Sequence, residues 1–431
     1  MTAIRSPAAL PTNWAIPTFR RSAWREVPAD GRLASLLLYT PLLATTLLAK
    51  LSVPPFAAQS LSIAYLFILL APVLGLVLGL LRLDSGRLSF FLVFIGCIGA
   101  IQVFRGEPFS LNSMLLLVTL FVAYVFYLPR QDDPTASALR FFLGFATLLA
   151  LAGIAQYGVQ LTVGLRYAFP IENFVPEAFL IGGFNMQAPI GYGESAYRVN
   201  GIFLAEPSFF SQFMAVAIIA ELLTSNRLLR VALYGLALLL SYSGTGLILL
   251  VICGPLILIT RRHWGLLWLI IGALVLAVAL GSYIDLDKLT GRIGEFGAVR
   301  SSAHARFIAG FDVLTRYLWH DPLTALFGFG AGAFPGYAMR MPFPVAEMTL
   351  FKMLLEYGVL GAALYFAFIF YCVFRSSAPA IVRLAVALTL FLNGPFVPFF
   401  HGLALSLLVW TSRPAGDALP PAGKPLLADG A

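Results

Sequence analysis

The sequence predicts an all-α integral membrane protein that crosses the bilayer about twelve times, and two observations carry that prediction. Of the 431 residues, 60% are apolar and 11% are charged, whereas a soluble domain is about 45–50% apolar and about 25% charged. The apolar residues also form runs long enough to cross a hydrocarbon core of about 30 Å as helices, which satisfy their own backbone in lipid. A water-soluble enzyme, a disordered chain and a nucleic-acid-binding module are therefore excluded.

Both ends of the chain are polar and are expected in the cytoplasm. Residues 1–32 carry arginines and no apolar run, which predicts a cytoplasmic tail rather than a cleavable signal peptide. Residues 33–411 form a single membrane domain, and residues 412–431 form a second tail. The predicted spans are residues 33–49, 57–81, 88–104, 113–128, 138–161, 207–223, 231–241, 246–260, 265–284, 347–374, 380–392 and 398–411.

Two of the longest apolar stretches are each interpreted as two spans. The sequence S-Y-S-G-T-G at 241–246 interrupts one, and N-G-P at 393–395 interrupts the other. Arginines flank both pairs, and cationic loops favour the cytoplasm, so each pair is expected to cross outward and return. With the N-terminus inside, 17 of the 28 Lys and Arg residues fall on cytoplasmic segments, which agrees with twelve spans and both ends inside.

Most of the remaining charge lies in two long loops that are expected on the outer, periplasmic side. The first long loop covers about residues 162–206, and the second long loop covers about residues 285–346. Long loops in compact folds are usually functional or disordered, and the many Phe, Tyr, Trp, Gly and Pro residues favour order here. Part of the second long loop predicts an amphipathic helix on the membrane surface. Its apolar face consists of Phe307, Phe311, Leu314 and Leu318.

Metal and nucleophile motifs do not emerge from the sequence. The four histidines and three cysteines show no ligand spacing, and no G-x-S-x-G or Cys/His arrangement is present. The segment G-F-G-A-G at 328–332 superficially resembles a phosphate-binding loop, but without a preceding strand or a lysine motif it is interpreted as a flexible turn. No cofactor and no metal are expected, although loop carboxylates such as Asp285 and Asp287 could bind a cation.

Charged residues at membrane depth are the first candidates for function. Glu206 precedes a predicted helix in the sequence A-E-P-S, where it can cap the helix or contact sugar hydroxyls. Glu347, Lys352 and Glu356 lie at the start of another predicted helix. Lys352 and Glu356 are four residues apart, so they can form an intrahelical ion pair.

Three stretches in this order resemble the O-antigen polymerase and ligase superfamily of bacterial inner membranes. They are Y-R-V-N-G-I-F-L-A-E-P-S at 197–208, the run from H-A-R-F-I-A-G at 304 to D-P-L-T-A-L-F-G-F-G-A-G-A-F ending at 334, and E-M-T-L-F-K-M-L-L-E-Y-G-V-L-G at 347–361. The resemblance covers under half of the chain. It implies a membrane glycosyltransferase with ten to twelve helices, a large late periplasmic loop and a substrate linked to undecaprenyl diphosphate.

The resemblance also implies which residues bind the substrate. Arg198 and Arg306 match the loop arginines that hold the diphosphate in this family, and a guanidinium can bind phosphate through two bonds and stays charged. The alternative for Arg198 and Arg306 is an arginine that is solvated or that faces lipid headgroups. Further substrate contacts are expected from Glu206, Arg300, His304, Lys352 and Glu356.

Glu347 is the expected catalytic residue. The ligases of this family carry a histidine eleven residues before the glycine of the last motif, and counting back from Gly358 leads to Glu347. This departure favours a Wzy-type polymerase, and in particular an exopolysaccharide polymerase of the kind that makes xanthan. Glu347 would then act as the general base. The alternative is that Glu347 is only a negative charge before a helix, where the helix dipole favours it.

The expected activity transfers a growing glycan from undecaprenyl diphosphate onto a lipid-linked repeat unit at the periplasmic face of the inner membrane. An O-antigen ligase with a lipid A core acceptor and a flippase or transporter of lipid-linked oligosaccharides are the alternatives. A scaffold protein would not need the loop arginines. The implied partners are the bilayer, the lipid-linked oligosaccharide and polymer, a chain-length-regulating co-polymerase and export machinery, with no nucleic acid.

Overall fold

The computed structural model describes residues 29–54, 61–106, 108–129, 134–191, 195–261 and 301–412. This part of the chain is mostly helical, and its two short strands, Arg82–Leu83 and Phe126–Tyr127, pair antiparallel. Four helices within it are long and apolar enough to cross a membrane. They are Ser85–Arg105, Pro134–Thr162, Pro207–Thr224 and Thr349–Phe374. A mostly helical protein with candidate membrane-spanning helices is thereby confirmed, and the twelve spans and their topology stay a prediction.

The helices of the described residues are numbered in chain order. They are α1 (Ala29–Leu47), α2 (Ala64–Val77), α3 (Ser85–Arg105), α4 (Leu111–Val122), α5 (Pro134–Thr162), α6 (Leu165–Ala168), α7 (Pro170–Phe174), α8 (Pro207–Thr224), α9 (Leu228–Leu240), α10 (Gly244–Arg261), α11 (Ser302–Phe307), α12 (Ala309–Val313), α13 (Pro322–Phe327), α14 (Phe334–Ala338), α15 (Thr349–Phe374), α16 (Ala380–Phe391) and α17 (Pro398–Ala404). Short 3-10 helices cover Ala123–Val125 and Glu177–Phe179, and π-helical turns cover Leu314–Leu318 and Leu405–Val409.

Both predicted interruptions of long apolar stretches are present. Helix α9 ends at Leu240 and α10 begins at Gly244, with Tyr242 between them at a φ of 45°. Helix α16 ends at Phe391, and α17 begins at Pro398 after the N-G-P sequence. The predicted span at 265–284, the carboxylates Asp285 and Asp287, and most of both tails lie outside the described residues.

Contacts between connecting segments define two ends of the helical bundle. At one end, here the loop end, Arg105 at the end of α3 donates to Thr324 of the second long loop at 3.1 Å. Lys50, after α1, pairs there with Glu172 of the first long loop. At the other end, here the opposite end, the start of α3 meets the end of α15 where Asp84 lies 3.5 Å from Arg375.

The predicted amphipathic helix of the second long loop differs in the structure. Its residues form α11, α12 and the π-helical turn Leu314–Leu318 rather than one helix. Leu314 and Leu318 are buried in a cluster with Phe351 and Leu355 of α15. This part of the apolar face therefore packs on protein, so the expectation that it lies on the membrane surface is wrong for these two residues.

The glycine-rich segment at 328–332 is an anchored turn rather than a flexible one. Helix α15 is interrupted at Gly358, whose φ of 65° is non-helical. An interruption of this kind frees carbonyls from the i to i+4 pattern. Phe329 and Gly330 donate their backbone N–H groups to the carbonyls of Leu355 and Glu356, both at 2.9 Å. The segment thus takes up hydrogen bonds that the interrupted helix leaves open.

Candidate functional site

An ion pair joins the two long loops where α8 begins. The Nη2 atom of Arg306 lies 2.6 Å from Oε2 of Glu206, and Ser208 Oγ donates to the same oxygen at 2.6 Å. The side chains of Arg306 and Glu206 are 21% and 14% exposed, respectively. Both charges are thus held in a fixed contact but stay within reach of a ligand.

Local sequence places each partner of this pair. Pro207 occupies the first turn of α8, a position that favours proline because no backbone donor is needed there, and Glu206 is the N-cap. Within the described first turn of α8, no backbone N–H is bonded to the Glu206 carboxylate. Of the two roles that the sequence left open, the capping hydrogen bond is therefore wrong. Arg306 lies on α11, which Ser301 caps by accepting a hydrogen bond from the His304 N–H.

A second charged cluster forms around Lys352 at the start of α15. The Nζ atom of Lys352 donates to Oε1 of Glu347 and, at 2.8 Å, to Oε1 of Glu356. Lys352 is 3% exposed and Glu356 is fully buried, whereas 43% of the Glu347 side chain is exposed. The predicted ion pair between Lys352 and Glu356 is confirmed. Glu347 is held by a buried cation on one side and is open on the other.

A backbone hydrogen bond brings Glu347 close to the helix that carries Arg306. Ala346 donates its N–H to the carbonyl of Ala305 at 2.9 Å. Glu347 and Arg306 each follow directly after one member of this pair. Helix α15 begins at Thr349 with Met348 as its N-cap, so Glu347 lies before the first turn, and its observed partner is Lys352.

Buried polar side chains connect the two clusters. Gln212 of α8 donates its amide to the carbonyl of Ser208 at 3.2 Å, and it exchanges two hydrogen bonds with Asn393 at 2.8 and 3.2 Å. The carbonyl of Asn393 accepts from the backbone N–H of Thr349 at 2.8 Å. A chain of hydrogen bonds thus runs from the residue two after Glu206 to the residue two after Glu347. It fixes the starts of α8 and α15 relative to each other.

Gln212 and Asn393 were missed by the sequence reasoning. Each is a side-chain amide in or beside an apolar run, and a buried amide needs partners. That signal was available, although it does not reveal that these two residues are partners. The pairing crosses 181 positions of the chain.

The glycine-rich segment helps to hold Glu356. The backbone N–H of Phe334 donates to Glu356 Oε1 at 3.2 Å, and Gly330 donates to the Glu356 carbonyl. A Cβ atom on Gly328 would lie 2.5 Å from the carbonyl oxygen of Glu356, which leaves no room for a side chain there. Glu356 therefore orients Lys352 and, through it, Glu347.

The remaining predicted site residues lie in different places. The Nη2 of Arg198 donates weakly to the carbonyl of Ile190 at 3.4 Å, and its backbone N–H donates to Ala188, so these contacts stay within the first long loop. His304 shares α11 with Arg306, is buried, and meets the ring of Phe343 edge-on at 5.1 Å. Its Nδ1 has no hydrogen-bond partner among the described residues. Arg300 lies outside the described residues.

Lys50 is a buried charge that the sequence analysis did not single out. Its Nζ lies 2.5 Å from Glu172 Oε1 and also donates to the carbonyl of Ile202. Burial lowers the pKa of Lys50 to about 8, although the negative charge of Glu172 opposes this shift. Gly201 and Ile202 both have positive φ, at 67° and 70°. Lys50 thus fixes a tight turn that lies four residues before Glu206.

The arrangement combines two chemical abilities at the loop end. Arg306 is a partly exposed guanidinium, which suits phosphate or another bidentate anion. Glu347 is a partly exposed carboxylate in a fixed position, which suits acceptance of a proton from a hydroxyl group. Transfer of a group to a hydroxyl with departure of an anion can use both abilities.

Comparison with known proteins does not assign this chain to a family. A scan against models of protein families finds no match, and a search of curated protein sequences finds none either. The function therefore rests on the residues and geometry of the loop end.

Proposed function

We propose that this protein is a Wzy-type polysaccharide polymerase of a bacterial inner membrane. The donor is a growing glycan on undecaprenyl diphosphate, and the acceptor is a single repeat unit on the same type of lipid. The loop end faces the periplasm in this proposal, as the distribution of Lys and Arg predicts. An exopolysaccharide is the preferred product class, because a glutamate stands where the ligases of the resembled superfamily have a histidine.

The observation that carries the proposal is the position of Glu347. Its carboxylate is 43% exposed and is held by Lys352, and its backbone lies next to the helix of Arg306. In the proposed reaction, Glu347 accepts the proton of an acceptor hydroxyl. The acceptor oxygen forms a bond to the anomeric carbon, while the bond from that carbon to the diphosphate oxygen breaks.

Arg306 supports departure of the lipid diphosphate in this proposal. A guanidinium offsets the negative charge that develops on the leaving oxygen. Because the lipid diphosphate is already a good leaving group, the transfer needs no nucleotide sugar. Arg198 is proposed as a second contact to the same diphosphate. Its place in the first long loop, eight residues before Glu206, leaves it on the same side of the bundle as Arg306.

The test is a gel analysis of lipid-linked glycans from cells whose own copy of the gene has been replaced by a variant. For Arg306→Ala and for Glu347→Gln, single repeat units accumulate on the lipid and polymer is lost. Glu177→Gln is the matched control, because Glu177 is an exposed carboxylate of the first long loop. This control variant is expected to make normal polymer.

Other outcomes separate the alternatives. Wild-type polymer from both variants contradicts the site and the proposal built on it. Polymer of normal length that stays on its lipid carrier indicates a ligase, and repeat units trapped on the cytoplasmic side indicate a flippase.

A further inference from the structure

The strongest unexplained feature of the loop end is that the guanidinium proposed to bind the diphosphate already binds a carboxylate. We propose that Glu206 is a built-in competitor of the diphosphate, which holds Arg306 in position and yields its place when the anionic substrate binds. This inference rests on the proposed function, because it takes Arg306 as the diphosphate-binding residue. It assigns to Glu206 a role in setting the affinity for the substrate.

The atoms involved make the competition direct. Glu206 contacts Nη2 of Arg306 at 2.6 Å. A guanidinium binds a phosphate through two parallel N–H bonds at one of its two open edges, and both edges include Nη2. A diphosphate that uses Arg306 in this way meets the Glu206 oxygen at the same nitrogen and is repelled by its charge. Nη2 carries two N–H groups, one at each edge, so a diphosphate at the edge that Glu206 occupies must displace the carboxylate, and one at the other edge binds against its negative charge.

The Glu206 carboxylate is free to be the one that moves. No backbone N–H of the described first turn of α8 donates to it, and its other partner is the hydroxyl of Ser208 at 2.6 Å. That hydroxyl can keep one oxygen satisfied after Arg306 changes partners. A carboxylate that served only to fix the loop would be expected to be buried away from solvent.

Two other ion pairs at the loop end are sealed in this way. In the pair of Lys50 with Glu172 the side chains are 0% and 5% exposed, and in the pair of Lys352 with Glu356 they are 3% and 0% exposed. The corresponding values for Arg306 and Glu206 are 21% and 14%. An anion from outside can reach this pair, whereas the other two are closed.

The competitor has a clear consequence for turnover. The diphosphate leaves on its lipid after each transfer, so an arginine that bound it too tightly would retain the product. Glu206 weakens the bound state and re-forms the ion pair when the lipid diphosphate departs. We expect its removal to tighten the binding of the lipid diphosphate and to slow product release.

The experiment measures binding of undecaprenyl diphosphate to the purified full-length protein in nanodiscs of neutral lipid. Glu206→Gln keeps the size of the side chain and removes its charge. We expect its dissociation constant to fall about tenfold, which corresponds to about 1.4 kcal/mol. Glu177→Gln removes the same charge from an exposed site of the first long loop and is expected to change the constant by less than about twofold, because exposed charges are screened.

Two further variants connect the effect to Arg306. Arg306→Ala weakens binding, and Glu206→Gln in that background gives no further gain, since the competition acts through the guanidinium. Glu206→Asp keeps the charge but shortens the side chain, so an intermediate affinity is expected. Thermal unfolding of each variant confirms that folded protein is being compared, and Glu206→Asp carries the test if Glu206→Gln does not fold.

The outcomes distinguish failure of this inference from failure of the proposed function. Unchanged or weaker binding by Glu206→Gln, together with weak binding by Arg306→Ala, overturns the competitor and leaves the diphosphate site standing. If Glu177→Gln tightens the binding of undecaprenyl diphosphate by a similar factor, the effect comes from net charge alone. That result also overturns the competitor role of Glu206. Wild-type binding by Arg306→Ala removes the diphosphate site itself, and the competitor with it.

Discussion

The charge cluster around Arg87 at the opposite end and the candidate site at the loop end hold their charges in different ways. At the opposite end, Arg87 is completely buried, and its Nη1 donates to the carbonyls of Phe126 at 2.9 Å and Val409 at 3.0 Å. Asp84 lies beside it with a side chain that is 1% exposed. At the loop end, the side chains of Arg306 and Glu347 are 21% and 43% exposed.

The difference separates charges that connect helices from charges that can change partners. Arg87 bridges the start of α3, the strand after α4 and the π-helical turn after α17, so it joins distant parts of the chain. Buried ion pairs of this kind are costly to break, because the partner that remains is left without compensation. Arg306, Glu206 and Glu347 each keep a side that solvent or a ligand can reach. Variants at the two ends should therefore fail in different ways.

The largest effect is expected on activity at the loop end. Glu347→Gln removes the proposed base and is expected to lower the polymerisation rate by about 10²- to 10⁴-fold. The melting temperature should change little, because the Glu347 side chain is partly solvated. Initial rates with purified protein and lipid-linked repeat units measure the first quantity, and thermal unfolding in detergent measures the second. Loss of folded protein would show that Glu347 belongs with the structural charges.

Arg87→Ala should show the reverse pattern at the opposite end. It leaves Asp84 buried beside Arg375 alone and removes hydrogen bonds to two other segments, so a destabilisation of about 3–5 kcal/mol is expected. The yield of folded protein and its melting temperature should fall. The molecules that do fold should polymerise at the wild-type rate. A normal melting temperature combined with lost activity would contradict the structural role assigned to Arg87.

A smaller effect is expected from the interruption of α15. Gly358→Ala forces a side chain into a backbone with φ of 65°, and its Cβ would lie within contact distance of the Leu326 carbonyl. We expect a cost of about 2 kcal/mol or more, from the left-handed conformation and the clash. The matched control is Gly144→Ala, since a Cβ on that glycine of α5 meets no atom within 4 Å. This control should be neutral or slightly stabilising, and equal melting temperatures for the two variants would argue against the anchored turn.

The smallest effect is expected at an exposed cap of the second long loop. Hydrogen bonds from the hydroxyl and the backbone N–H of Thr324 hold the pKa of Asp321 below its usual value. A depressed pKa means that this cap stabilises the fold above the unfolded pKa of about 4, and that the contribution is lost as the pH falls through the folded value. Asp321→Ala should therefore lower the melting temperature slightly at pH 7 and less at pH 3. A constant difference at both values would mean that the charge is not involved.

Local features of the fold were predictable from the sequence, because apolar runs and turn residues act over short distances. The interruptions at 241–246 and 393–395 and the pair of Lys352 with Glu356 belong to this class. The partner of Glu206 was not predictable, since Arg306 lies 100 positions away and its distance depends on how both long loops fold. The same holds for Lys50 and Glu172. The helical spacing of Leu314 and Leu318 indicated an apolar face correctly, but spacing alone does not show whether lipid or protein covers that face.

The central claim is that the loop end polymerises lipid-linked repeat units through Glu347 and Arg306. The most direct test incubates purified protein in nanodiscs with repeat units on undecaprenyl diphosphate and follows the products on a gel. We predict a ladder of lengthening glycans with wild-type protein and with Glu177→Gln, and single units alone with Glu347→Gln and Arg306→Ala. A wild-type ladder from either of the last two variants, or no ladder from active wild-type preparations, would contradict the claim.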